Sequence, residues 1–487
     1  MISQHQDPRQ PNGDHARSVP RRGAALLSDP VHNKETASTG QAALAVPPLL
    51  LDLYELTMAQ SYFDRGMAGP ATFSLFARHL PTNRGYFVAA GLQDVLAYLE
   101  HLAFAEDDLS YLATTGLFSA AFLDHLRTLR FGGSVRALAE GTVCFPDEPL
   151  LEVTAPIIAA QLVETAILNQ VHFQTIVASK AARCVQAARG RRLVDFGLRR
   201  TYGSDAGLKV ARCAYLAGFD ATSNVLAGQR YGIPIAGTMA HSYIQAFPDE
   251  LAAFRAYAQS YPDACTLLVD TYDTLEGVRR AVIVGQELAR AGHRLRGVRL
   301  DSGDLIALSF GAREILDAGG LPDATIFASG GVDEHFIAEA VVRGAPIDAF
   351  GVGTRLGVSA DAPYLDMAYK LVAYDGRPVL KLSAGKATWP GPKQVWRRRG
   401  ADGGIDDCVT LMDEPGPPGA EPLLAAVIAD GQRLAAEPLA AGRARALAEV
   451  TALPAAMRRL EAPCTASVRF GERLLRLRQQ LTEQAVT

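Results

Sequence analysis

His241, Asp270, Arg299 and Asp301 share one placement in this chain: each stands where a short apolar run gives way to polar residues. Their chemistries are complementary. A guanidinium pairs with a carboxylate or phosphate, and carboxylates bind ribose hydroxyls or a magnesium diphosphate or favour an oxocarbenium-like centre. An imidazole in such a place reads equally as general base, metal ligand or satisfied core residue. Seven runs with polar or Gly-rich endings lie between Leu193 and Thr354: LVDFGLRRT (193–201), GFDATSN (218–224), IPIAGTMAHS (233–242), LLVDTYD (267–273), GVRLDSGD (297–304), TIFASGG (325–331) and AFGVGTR (349–355).

The runs read as strands, and helix-like stretches of suitable length separate them, which is the pattern of parallel βαβ units. Parallel α/β folds gather their chemistry at the carboxyl ends of the strands, so the ring of endings predicts one active site built from many segments. Gly330 with Gly331, and Gly351 with Gly353, come late in the series, where barrels commonly seat a phosphate on backbone amides. Either pair alone reads as a tight turn, whereas both together on successive strands point to an anion. Arg199 and Arg200 open a helix after LVDFG and can add guanidinium forks, with Arg200 equally well placed for a surface carboxylate. Arg299 and Asp301, two apart, point the same way, and charges inside a barrel are costly unless they face a ligand. Asp195 and Asp270 are read as ligand carboxylates or as caps of the helices that follow. His241, with Thr238 and Ser242 beside it, lacks the HxH or HExxH spacing of a metal site.

At 487 residues the chain exceeds one compact core, and its net charge of −4 lacks the basic excess of a nucleic-acid binder. The six cysteines (144, 184, 213, 265, 408, 464) form no CxxC pair and read as reduced thiols of a cytoplasmic protein. No apolar run is long enough to span a bilayer, so no membrane partner is expected. Residues 1–45 read as a disordered polar leader, 46–154 as an α+β domain, 155–373 as the catalytic α/β unit, and 374–487 as a section packing back on the first domain.

YELTMAQSYF, DFGLRR, GFDATSNVLAG, GTMAHS, VRLDSGD, SGGVDE and FGVGTRL, in this order and spacing, closely resemble the nicotinate phosphoribosyltransferase family over about Leu49 to Trp396. The resemblance implies an irregular (β/α) barrel of the type II phosphoribosyltransferases, with a second α+β domain formed by the N- and C-terminal parts. It implies ATP-coupled synthesis of nicotinate mononucleotide and diphosphate from nicotinate and phosphoribosyl diphosphate with Mg2+, the first step of NAD salvage from nicotinate, in a homodimer with shared active sites. His241 then matches the histidine that ATP phosphorylates. Phe196 and the partner subunit's Tyr54 would sandwich the pyridine. Arg299 would pair with its carboxylate, Asp301 and Asp270 would face ribose and diphosphate, and Arg199 with Gly330, Gly331, Gly351 and Gly353 would contact phosphate. Ser223 would stand where the related nicotinamide enzyme has an Asp, which favours nicotinate because a hydroxyl can donate to a carboxylate. An alignment shift by one would bring in Thr222 or Asn224, neither of them anionic. Lys381, Lys386 and Lys393 are candidates for phosphate or for solvent.

Two other classes are weighed. A phosphate-binding barrel aldolase or isomerase should carry a Lys or Glu at a strand end, and the seven endings have neither. A non-catalytic sensor should lack the His, Arg or Asp ends, which are present. Within the family, nicotinamide is disfavoured by Ser223, and quinolinate would call for further basic residues.

Overall fold

The computed structural model describes residues 46–383, 385–400 and 403–486, and the leader expected over 1–45 lies outside them. Six short strands form one parallel sheet: Arg192–Asp195, Ala221–Thr222, Thr266–Leu268, Gly297–Leu300, Thr325–Ala328 and Ala349–Val352. Their spatial order is second, first, sixth, fifth, fourth, third. The seventh expected strand, IPIAG, contributes a single parallel bridge between Ile235 and Thr222, because Pro234 has no N–H to give a ladder. The sheet is therefore a curled half-barrel. Helices return the chain between strands, and five of them are capped by the side chain that ends the preceding loop: Asn224, Asp249, Asp273, Asp304 and Asp333.

Alternation along these strands divides their residues between two environments. Leu193, Val298, Leu300, Ile326, Ala328, Phe350 and Val352 join the main core. Val194, Ala221, Phe327 and Ala349 form a separate small cluster with Phe196 and Ala236. Register ties this second set into one face: Arg299 lies opposite Phe327, Phe327 opposite Ala349, and Val194 opposite both Gly351 and Ala221. The odd-numbered Arg299, Asp301, Ser329, Gly351 and Ser223 and the even-numbered Phe196 continue the same alternation at the strand ends.

A seven-stranded antiparallel sheet stands beside the half-barrel, with Pro70–Ala77 between Met367–Tyr374 and Pro149–Pro156, and with Ser134–Ala137 paired to Ala425–Ala429. Met367–Tyr374, placed from sequence at the end of the catalytic unit, is thus a strand of this sheet. Phe73 stacks on Tyr369 across the pairing at 4.8 Å. On the opposite face Ser74 and Lys393 both reach Glu152. Lys393–Arg399, Ile405–Leu411 and Val468–Phe470 build a further small sheet with Glu421–Pro422, and Leu439–Ala452 packs on the barrel helix Ser204–Ala217. Two helices, Ile157–Gln161 and Glu164–Ala188, lead from the antiparallel sheet into the first parallel strand. No helix among the described residues is long and apolar enough to cross a membrane.

One buried ion pair fastens the half-barrel to the antiparallel unit. Glu140 receives Arg212 of the Ser204–Ala217 helix at 2.5 and 3.1 Å, and the Gly91 amide at 2.8 Å. Burial works against its charge, but Arg212 and the amides outweigh it and hold the carboxyl below its usual value. Because the folded value is depressed, this stabilisation is present above the ordinary Glu range and is lost as pH falls through the folded value. Glu140→Gln keeps the shape but leaves a buried guanidinium without its charge partner. We expect a loss of roughly 3–5 kcal/mol, read as an earlier urea midpoint, with the gap to the parent protein closing at acidic pH.

Candidate active site

Arg299 is 8 % exposed, on the concave face, and its guanidinium is held from three sides. Nε donates to Ser329 Oγ at 2.8 Å, Nη1 to Thr238 Oγ1 at 3.1 Å and to the Met239 carbonyl at 3.3 Å, and Nη2 to Asp301 Oδ1 at 2.7 Å. A guanidinium has five N–H donors, so one N–H of Nη2 has no protein acceptor among the described residues. The group also lies 5.3 Å from the centre of the Phe196 ring. Phe196 leans on Phe327 at 5.5 Å, and Gly351 makes room for it: a Cβ there would come within 2.7 Å of the ring.

Asp270 joins the neighbouring strand end to this group. Its Oδ1 lies 3.2 Å from His241 Nε2, and its Oδ2 accepts from the Asp301 amide at 3.1 Å and the Ser302 hydroxyl at 2.6 Å. The His241 side chain is 39 % exposed. Burial disfavours the charge on Asp301, but the Ser329 hydroxyl, Arg299 and His241 together keep its carboxyl below the usual range. Both protein donors of Asp301 fall on Oδ1, and Oδ2 has none among the described residues.

The two Gly-rich turns lie at the same rim. Gly330 and Gly331 both take left-handed backbone, at φ 89° and 69°, and a Cβ on Gly330 would sit 1.8 Å from the Asp301 carbonyl oxygen. Only glycine fits there. Gly353 precedes the short helix Thr354–Gly357, whose Arg355 pairs with Asp333 after the other turn. Arg199 is exposed on the one-turn 3-10 helix Leu198–Arg200, beside Arg200.

Parity settles which polar strand ends face this cluster. Asp195 lies on the helix-facing side, fully buried, and accepts from Thr222 Oγ1 at 2.7 Å and the Gly197 amide at 2.8 Å. Burial pushes its carboxyl up to about 6 against those two hydrogen bonds. It braces the loop under Phe196 and does not face a ligand, which corrects the ligand and cap readings alike. Thr222 is spent on Asp195, and Asn224 accepts from Ala227 N and donates to Gly207 O. Ser223, in phase with Ala221, is the one of the three on the concave side. Lys393 is also corrected: it is 3 % exposed and bonded to Glu152 and the Gly391 carbonyl, so it is a core residue of the sheet junction. Lys381 and Lys386 remain exposed on their loop.

Tyr54 is 44 % exposed on the helix Leu53–Asp64. Burial raises its hydroxyl's pKa, with Glu164, Glu55 and Asp52 adding to the effect. No contact among the described residues joins it to Phe196 or Arg299 within one chain. Ser329, Ser302, Asp333 and Arg355 were not singled out from sequence. The signal for Ser329 was its alternation with Phe327, which becomes meaningful once Phe327 is known to pair with Arg299.

A half-barrel of parallel strands whose carboxyl ends gather a guanidinium, two carboxylates, an imidazole and two Gly-rich turns has the architecture of the type II phosphoribosyltransferase class. Residues 49–172 match the nicotinate phosphoribosyltransferase (NAPRTase) N-terminal domain, and residues 191–387 match the NAPRTase family. A nicotinate phosphoribosyltransferase of Mycobacterium tuberculosis is 51 % identical over 90 % of this chain and 96 % of its own length. The human relative is 35 % identical over 89 % of this chain and 96 % of its own length. The crystal structure of human nicotinic acid phosphoribosyltransferase superposes with a TM-score of 0.81 at 33 % identity, covering 89 % of this chain and all of that one. The chain belongs to the nicotinate phosphoribosyltransferase family: it is an enzyme of NAD salvage from nicotinate, and ATP is the family's co-substrate.

The turn at Gly330 makes the sharpest demand on a residue type. Gly330→Ala must displace the Asp301 carbonyl or the turn, so we expect loss of nearly all turnover at unchanged circular dichroism. Turnover near the parent level would show that the Asp301 segment can move without consequence.

Proposed function

We propose that the concave face performs the transfer as follows. Nicotinate lies on Phe196 with its carboxylate on the free Nη2–H of Arg299 and within reach of the Ser223 hydroxyl. Its ring nitrogen attacks the anomeric carbon of phosphoribosyl diphosphate, and the bond to the diphosphate oxygen breaks as that oxygen takes the electron pair. The substrate brings its own nucleophile, so no protein base is needed. Asp301 and Asp270 face the ribose and diphosphate and stabilise positive charge developing at the anomeric carbon. Gly330, Gly331, Gly351, Gly353 and Arg199 contact phosphate.

The observation that carries this reading is the buried Arg299 with one donor unspent beside an aromatic face. A guanidinium so placed selects an anionic ring over a neutral one. Mg2+ fits the donor set: it is usually held by one or two carboxylates together with substrate phosphates, and Asp301 Oδ2 is open beside Asp270. When bound, the ion would neutralise charge on the departing diphosphate. His241, oriented by Asp270, is the residue that ATP phosphorylates, and hydrolysis of the phosphohistidine resets the enzyme.

Tyr54 would act in the partner's site of a homodimer. Two things support this: Tyr54 is exposed on the Leu53–Asp64 helix, and the apolar side chains Leu198, Tyr202, Val225, Leu226, Ile235 and Tyr272 are exposed on the segments that follow the strands. A cytoplasmic location fits the free cysteines, five of them buried.

The test is diphosphate release from phosphoribosyl diphosphate and magnesium, with nicotinate or nicotinamide, with and without ATP. We expect turnover of nicotinate, stimulated by ATP, with the stimulation lost in His241→Ala. Ser223→Asp should lower kcat/KM for nicotinate by at least about tenfold through like-charge repulsion. Turnover of nicotinamide alone would contradict the role given to Arg299 and Ser223.

A further inference from the structure

Ser329 carries two of the contacts that define the site and belongs to neither group of residues that would touch substrate. It is 2 % exposed. Its oxygen accepts Arg299 Nε–H at 2.8 Å while its hydrogen is donated to Asp301 Oδ1. A hydroxyl has one hydrogen and two acceptor sites, so a single side chain satisfies both charged groups at once. The Leu300 carbonyl, at 3.5 Å, is the only other acceptor in reach of that hydrogen among the described residues. The hydroxyl's position is set by backbone. Ser329 N donates to Leu300 O at 2.8 Å, and the next residue, Gly330, is pressed against the Asp301 carbonyl. The SGG turn is therefore fastened to the strand that carries Arg299 and Asp301.

We propose that Ser329 is a positioning residue that keeps the Arg299–Asp301 pairing one-pronged, in the geometry in which one Nη2 N–H stays free for the pyridine carboxylate. The physical reason lies in what the pair does without it. Arginine and a carboxylate prefer a two-pronged pairing, and here Arg299 reaches only Asp301 Oδ1, through one prong. With its Nε and the Asp301 oxygen both tied to Ser329, the guanidinium cannot swing round to close the second prong. Remove the hydroxyl, and the freed Nε–H can close on the open Asp301 Oδ2, which turns the guanidinium and swings the remaining Nη2 N–H away from the direction that nicotinate needs. The inference rests on the substrate assignments of Arg299 and Asp301 made above.

The experiment is steady-state kinetics of the full-length Ser329→Ala and Ser329→Cys variants with nicotinate, at saturating phosphoribosyl diphosphate, magnesium and ATP. Both variants are expected to raise KM for nicotinate by about tenfold or more with a smaller change in kcat, and Ser329→Thr, which keeps the hydroxyl, to restore KM. Cysteine fills nearly the same space with a weak donor, so it reports on the bond should the alanine variant not fold. A parent-like KM in Ser329→Cys, with Arg299→Ala unable to saturate with nicotinate, would overturn the positioning role alone. A parent-like nicotinate KM in Arg299→Ala would overturn the assignment beneath it.

Discussion

A buried guanidinium has to be matched on every side, and Arg299 is the group around which this site is arranged. Leaving such a charge without partners costs several kcal/mol. Four acceptors from three strand ends meet it: Ser329, Thr238, the Met239 carbonyl and Asp301. Those partners come from the segments after Ile235, Gly297–Leu300 and Thr325–Ala328, so satisfying one side chain aligns three loops. Asp270 extends the alignment to a fourth strand end by binding the Asp301 amide and His241. The chemistry is a consequence: the donor that the protein leaves unmatched is where an anionic ring can bind.

The strand alternation then separates working residues from supporting ones. Arg299, Asp301, Ser329, Gly351, Phe196 and Ser223 fall on the concave side, and Asp195 and Thr222 bond to each other beneath the Phe196 loop. Two carboxylates at similar strand ends thus have opposite environments. Asp301 is kept ionised by donors, and Asp195 is pushed up by burial. This is the part of the site that was only half legible. Arg299 and Asp301 could be placed on one face from their spacing, since both lie in one run. Whether Asp195 shares that face depends on the register between strands, which a single sequence does not display. The cap reading failed for separate reasons: Asp273, later in the same loop as Asp270, caps the helix there, and the helix Ser204–Ala217 after Asp195 starts from Gly203 with no side-chain cap.

Legibility was highest where periodicity is local. The strand–helix series follows from apolar runs and the polar or Gly-rich residues that end them. It was lowest where distant segments pair. Lys393 sits in a loop-like context of Gly and Pro but is drawn into the sheet junction by Glu152, more than two hundred residues earlier in the chain. Met367–Tyr374 follows the last parallel strand yet pairs with Pro70–Ala77, because an apolar eight-residue strand finds its long partner there and not at the edge of a curled sheet of four-residue strands.

The most direct test of Arg299 as the organising group is the crystal structure of the protein with nicotinate mononucleotide bound. The account predicts the pyridine carboxylate within hydrogen-bond distance of Arg299 Nη2, the ring against Phe196, the 5′-phosphate on the Gly330 and Gly353 turns, and the Arg299–Ser329 contact retained. A carboxylate bound elsewhere, with Arg299 closed on both oxygens of Asp301, would contradict it.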